Sequence, residues 1–172
     1  MSNATTALTP IWSWSWISSH PLRLLGIVLT VLFRTLFGIF WLAAGINKFR
    51  RGWLTSDILE RIFNDRLTQM APDSFAVFYL QSFAIPLYKL VAIVVAFGEL
   101  YVGVALILGF TTRWAAAMSF FILLNLAIGG YYDASLLPFF ILSIVFMLTR
   151  SGQWLGLDRP LARRYPGSRW FR

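Results

Sequence analysis

The sequence predicts an all-α membrane protein: a four-transmembrane-helix bundle with a short interfacial amphipathic segment between helices 1 and 2. Three observations predict it. Hydrophobic residues make up 58% of the 172-residue chain, and the mean hydropathy is +0.68; soluble domains average ~45–50% apolar. Charged residues are only 13%, about half the usual share. The apolar residues also gather into runs long enough to cross a hydrocarbon core of ~30 Å.

The formal net charge is +8. Most of its basic residues fall between and beyond the apolar runs, where anionic lipid and membrane topology explain them. That placement argues against nucleic acid as a partner. The chain has no cysteine, which excludes a disulfide, a thiolate metal site, an iron–sulfur cluster and a thiol nucleophile. Its one histidine, His20, precedes Pro21 outside the apolar runs, so no histidine metal or haem site is expected. There is no phosphate-cradling glycine loop, nucleophile elbow or metal-ligand spacing. Catalysis by this chain alone is therefore not expected, and redox chemistry would use a cofactor brought by a partner.

Residues 1–23 form a polar arm carrying Trp12, Trp14 and Trp16, residues suited to headgroup depth. The first span is 24–46, with Arg34 near its middle, and Lys48, Arg50 and Arg51 end it. The connection 47–86 is long. Its "TSDILERIF" opens with a capping signal, which predicts an amphipathic helix at about 56–70, stopped before Pro72. The apolar stretch 74–85 is too short to span and reads as a half-buried interfacial helix before Pro86. The second span, 87–110, contains Glu99. The tight "GFTTR" turn with Arg113 leads into the third span, 114–128, which contains Asn125. "GGYYDAS" turns into a short fourth span, 136–148, closing the 24–149 bundle. The basic tail 150–172 carries Trp154 and Trp170 as interface anchors. Four spans put both termini on one side. The balance of basic residues, which there includes Arg23, Arg113 and the tail arginines, favours the cytoplasm.

Charges inside a bilayer are costly and mark structure or function. Arg34 and Glu99 have opposite signs and similar distances from the starts of their spans, so direct pairing near the midplane is a geometric option. Arg34 shares a helical face with Gly38 and Gly45, and Glu99 shares one with Ala92, Ala96 and Gly103. Small residues mark close helix contact, so both charges should face inward. Asn125, with Gly129 on its face, is placed to join them. One reading of this Arg34–Glu99–Asn125 cluster is structural, a polar clasp holding the helices in register. The others are a ligand site for a quinone headgroup and a proton-handling role for Glu99. Aromatic residues reach 17%. Packing and interface belts explain most of them, and stacking on a ligand is open to Trp41, Tyr101, Tyr131 or Tyr132.

Several segments together resemble the DoxX family of small bacterial membrane proteins. "FRTLFGIFWLAAGINKF" at 33–49 is similar to the family's opening helix. "FGELYVGVALILGFTTRWAA" at 97–116 is similar to its second-helix signature, and "GQWLGLDRPLARR" at 152–164 to its C-terminal end. The positions carrying the resemblance are Arg34, Lys48, Gly98, Glu99, Arg113 and Asp158. The resemblance implies a four-helix bundle in a bacterial inner membrane. It also implies association with membrane oxidoreductases, since the family takes its name from a subunit linked to thiosulfate:quinone oxidoreductase. Two roles follow for comparison with the structure. One is a non-catalytic accessory or anchoring subunit of a respiratory or photosynthetic complex, docking through the arm and the 47–86 connection. The other is a quinone-linked subunit with its headgroup site at Arg34, Glu99 and Asn125. A transporter or channel is a weaker third reading, as there is no internal repeat, although a homo-oligomer could build a pore.

Overall fold

A computed structural model describes residues 20–168, 170 and 171. The arm's three tryptophans, Arg169 and Arg172 lie outside the described residues. Those described form helices joined by turns, with no strand among them. The helices are α1 (Pro21–Arg50), α2 (Ile58–Leu67), α3 (Phe75–Tyr79), α4 (Tyr88–Leu108), α5 (Thr112–Leu126), α6 (Leu137–Leu148) and α7 (Asp158–Arg164). Two of them continue into wider π-helical turns: α3 into Leu80–Ala84 and α5 into Ala127–Tyr131.

Local chemistry sets the boundaries. Pro21 opens α1, where its missing N–H costs no helical hydrogen bond. Gly109 ends α4 in the left-handed region at φ 62°, which suits a residue without a Cβ. The side chain of Ser74 accepts from the Val77 N–H and so starts α3.

Among the described residues, three helical segments are long and apolar enough to cross a membrane: Pro21–Arg50, Tyr88–Leu108 and Thr112–Tyr131. At 1.5 Å per residue, the 21 residues of α4 give about 31 Å. The segment expected as the fourth span is shorter. Residues Ala134–Leu148 comprise a 3-10 turn and α6, together roughly 24 Å long.

The core draws on four helices. Phe37 and Trp41 from α1 meet Val102, Ala105 and Leu106 from α4, Ala115, Ala116, Ile122 and Leu123 from α5, and Phe146 from α6. The most extensive interface is between α1 and α4. Glycines make it close. A Cβ on Gly103 would lie 2.5 Å from the Leu42 backbone nitrogen, and one on Gly45 would lie 2.9 Å from that of Leu100. Gly38 lies 2.9 Å, on the same measure, from the Ile107 nitrogen. Ala92 and Ala96 are fully buried. Between α5 and α6 a polar contact joins the Ser119 and Ser143 hydroxyls at 2.8 Å.

The 47–86 connection folds back on the bundle. Leu59 and Phe63 of α2 and Leu80 and Ala84 after α3 form a second apolar cluster with Ala92 of α4. Arg66 fastens α2 to the end of α5: its Nε and Nη2 donate to the Gly130 carbonyl, and its guanidinium lies 5.1 Å from the Tyr131 ring centre. The Tyr131 hydroxyl donates back to the Ile62 carbonyl at 3.2 Å.

Candidate functional site

The α1–α4 register decides which polar residues meet. With Gly103 against Leu42 in an antiparallel pair, Glu99 falls level with residue 46 of α1. Arg34 falls level with the turn after α4. The two are thus about 18 Å apart along the helix axis. The structure does not bring Arg34 and Glu99 together, and each has other partners.

Arg34 is buried at 1% exposure. Its Nη1 donates to the carbonyls of Ser151 and Trp154, and its Nη2 to that of Leu155 at 3.4 Å. One arginine therefore satisfies three backbone acceptors of the tail segment. Gly109 makes room for it, since a Cβ there would lie 2.8 Å from Nη1. The same tail segment clips the α4–α5 turn. The carboxylate of Asp158 accepts from the backbone N–H groups of Thr111 at 2.6 Å and Thr112 at 3.0 Å. Those donors would otherwise be orphaned at the start of α5. Arg113 donates to the Leu148 carbonyl at the end of α6. This end of the molecule is a polar clasp.

Glu99 lies in the middle of α4, 5% exposed. Its Oε1 accepts from Lys48 Nζ at 3.3 Å. Lys48 Nζ also stands 4.6 Å from the ring centre of Trp53. Asn125 is elsewhere on the same wall. Its Oδ1 accepts from the Tyr79 hydroxyl at 2.7 Å, and its Nδ2 donates to the Phe121 carbonyl. Burial pushes the Tyr79 phenol above its ordinary pKa, so it stays a neutral donor.

These groups line one cavity of about 270 Å³. Its walls are mainly aromatic and aliphatic, with Lys48, Glu99, Tyr79 and Asn125 supplying the polar groups. Both π-helical turns contribute to it, through Leu80 and Ala84 on one side and Gly129 and Tyr131 on the other. Such widened turns often mark functional positions. Three buried polar atoms on lining residues have no hydrogen-bond partner among the described residues: Glu99 Oε2, Trp41 Nε1 and Trp53 Nε1. Buried polar groups are normally satisfied, and a cluster of orphans on one cavity calls for an explanation.

Of the sequence-predicted trio, then, Glu99 and Asn125 share the cavity wall and Arg34 belongs to the clasp. Lys48, read from sequence as the end of a helix and a motif position, is the partner of Glu99. Tyr79 and Trp53 were not singled out. Their signal, a hydroxyl and an indole within an otherwise apolar connection, has little specificity before the connection's fold is known. Among the described residues no group of three or more histidine, aspartate or glutamate side chains is placed to hold a metal.

A multi-pass helical membrane protein with a part-buried Lys–Glu pair on an apolar cavity is the class this architecture defines. The DoxX family model matches residues 29–131, more than half of the chain. The chain belongs to the DoxX family. The matched region holds α1 from Leu29 on, α2 to α5, and every residue lining the cavity except Leu136 and Phe139. The clasp residues Ser151 to Asp158 lie beyond it. No match was found among curated proteins or among solved structures.

Proposed function

We propose that this DoxX-family protein is a ligand-binding membrane subunit whose cavity takes the ring of a quinone-type lipid-soluble compound, while a partner protein supplies any electrons. The observation that carries this reading is the cavity at Lys48 and Glu99, with three unpartnered polar atoms on lining residues. The cavity suits a ring of one or two cycles, and pockets of this kind are largely apolar with a few convergent polar groups. In this reading the headgroup site comprises Lys48, Glu99, Trp41 and Trp53, with Tyr79 and Asn125 fixing the far wall. Arg34 is a positioning residue for the tail.

The membrane placement proposed with it has α6 as a fourth crossing, in a thinned or locally deformed bilayer. It also has both termini cytoplasmic in a bacterial inner membrane. An accessory subunit without a ligand, anchoring a respiratory or photosynthetic complex or acting as a homo-oligomer, is the competing role. Its support from the sequence was the arm and the 47–86 connection. The connection packs on its own bundle and roofs the cavity, so that part of the support passes to the ligand reading.

The test is titration of a short-chain ubiquinone into the purified protein in lipid nanodiscs, followed by tryptophan quenching. Saturable, one-site binding is expected. Ala44→Phe, which fills the cavity from α1, should abolish it. Quenching that rises without saturation, identically in both proteins, would sink the proposal. A stoichiometric partner chain in the native membrane extract, together with no saturable binding, would favour the anchoring role.

A further inference from the structure

The cavity's hydrogen-bonding inventory is asymmetric. The residues lining the cavity hold three buried polar atoms without a partner: two donors, the indole N–H of Trp41 and of Trp53, and one acceptor, Glu99 Oε2. Lys48 Nζ adds donor capacity beside Oε1 of the same carboxylate. An oxidised quinone carries only acceptors. It would answer the indoles and leave Oε2 facing a like-signed oxygen or nothing, and an unsatisfied buried charged acceptor is costly. A hydroxylated ring answers both kinds of group. Its O–H donates to Oε2, and its oxygens accept from an indole N–H or from Lys48.

We infer that the cavity selects the hydroxylated form of its ring ligand, a phenol or hydroquinone, with Glu99 Oε2 accepting the ligand's O–H. The inference rests on the reading of the cavity as a ligand site and adds which chemical form it holds. Lys48 balances the carboxylate's charge, which keeps Oε2 an acceptor in an apolar wall. The pair thus acts as a fixed acceptor for one O–H, and the aromatic wall holds the ring. A hydrogen bond to a charged acceptor is worth enough to set a preference of roughly tenfold or more.

The experiment uses three probes of similar size: 1-naphthol, its methyl ether 1-methoxynaphthalene, and menadione. Each is titrated calorimetrically into the full-length protein in detergent, with partition into empty micelles subtracted. The wild type alone gives the first answer and needs no variant. 1-Naphthol is expected to bind at least about tenfold tighter than the ether, with menadione between them or weaker. In Glu99→Gln the amide keeps the shape and can present N–H instead of an acceptor. That variant should cut the naphthol preference to less than about threefold and move menadione upward. Equal affinities for naphthol and the ether in the wild type overturn the inference. If both are still lost in Ala44→Phe, the cavity reading stands without it. A naphthol preference that survives intact in folded Glu99→Gln overturns the assignment to Glu99. Absence of saturable binding by all three probes defeats the cavity reading, and the inference falls with it.

Discussion

An ion pair with one buried partner is informative through what happens when half of it is removed. Lys48 and Glu99 meet at 3.3 Å with side chains 18% and 6% exposed. Lys48→Met leaves a carboxylate uncompensated in an apolar wall, at an expected cost of ~3–5 kcal/mol. Lys48→Met combined with Glu99→Leu removes both charges and should be more stable than Lys48→Met alone. Thermal unfolding of the single and double variants in one detergent checks this, and additive losses would show that the two side chains do not interact. Arg34 gives a contrasting case, because its partners are three carbonyls rather than a carboxylate. Arg34→Lys keeps the charge and loses the planar fork, so it should not rescue Arg34→Met. The readout is local: with the clasp open, trypsin should cut after Arg163 and Arg164 several-fold faster, while the bundle stays intact. Equal cleavage rates in wild type and Arg34→Met would overturn the clasp. The charges themselves were legible in the sequence, and so was their inward orientation. Their pairing was not, because depth was counted from the start of each span. The 40-residue connection leaves register free. The better signal was the glycine set, since placing Gly103 between Gly38 and Gly45, opposite Leu42, puts Glu99 level with residue 46, close to Lys48.

At the scale of elements, the α1–α4 contact is the rigid part, and the turns and connection adapt to it. Gly103→Val should be among the most damaging single substitutions, because its side chain would collide with the backbone of Leu42, which cannot rotate away. Overpacking commonly costs ~1–3 kcal/mol, and a backbone clash belongs at or above the upper end. Gly98→Ala is the control. Its nearest neighbour is the terminal carbon of Met118, a flexible side chain that can move. The expected order, a large drop in melting temperature for Gly103→Val and a small one for Gly98→Ala, is read from thermal unfolding of both. The helical segments of the first three spans were legible, since hydropathy over about 20 residues is a strong signal. The 47–86 connection was legible as two short helices but not as the roof of a cavity. What places it there is non-local: Leu59 and Phe63 find Ala92, and Arg66 finds the Gly130 carbonyl. Nothing in the spacing of α2 alone identifies those partners.

For the whole molecule, the open issue is how many times the chain crosses, and α6 decides it. The Ala134–Leu148 segment spans roughly 24 Å, several ångströms less than a ~30 Å hydrocarbon core. Two features favour a crossing. The segment is strongly apolar, with no charged residue between Ala134 and Leu148. It also packs along α5, joined by the Ser119–Ser143 contact and by Phe146 in the shared core. A helix packed along a spanning neighbour would bring its far end to the opposite side of the membrane, and mismatch of a few ångströms costs only fractions of a kcal/mol per ångström. If α6 crosses, the start of α1 at Pro21 and the end of α7 at Arg164 lie on the same side. Three crossings instead put them on opposite sides. Reporter fusions separate the cases: a fluorescent protein that folds only in the cytoplasm, and alkaline phosphatase that is active only outside it, attached at each terminus in turn. Fluorescence without phosphatase activity at both ends is the expected outcome. Opposite signals at the two ends would mean that α6 does not cross. The clasp could not then form, because Arg34 and Asp158 tie the segment after α6 to the α4–α5 turn, at the opposite end of α5 from the turn through which the chain enters α6.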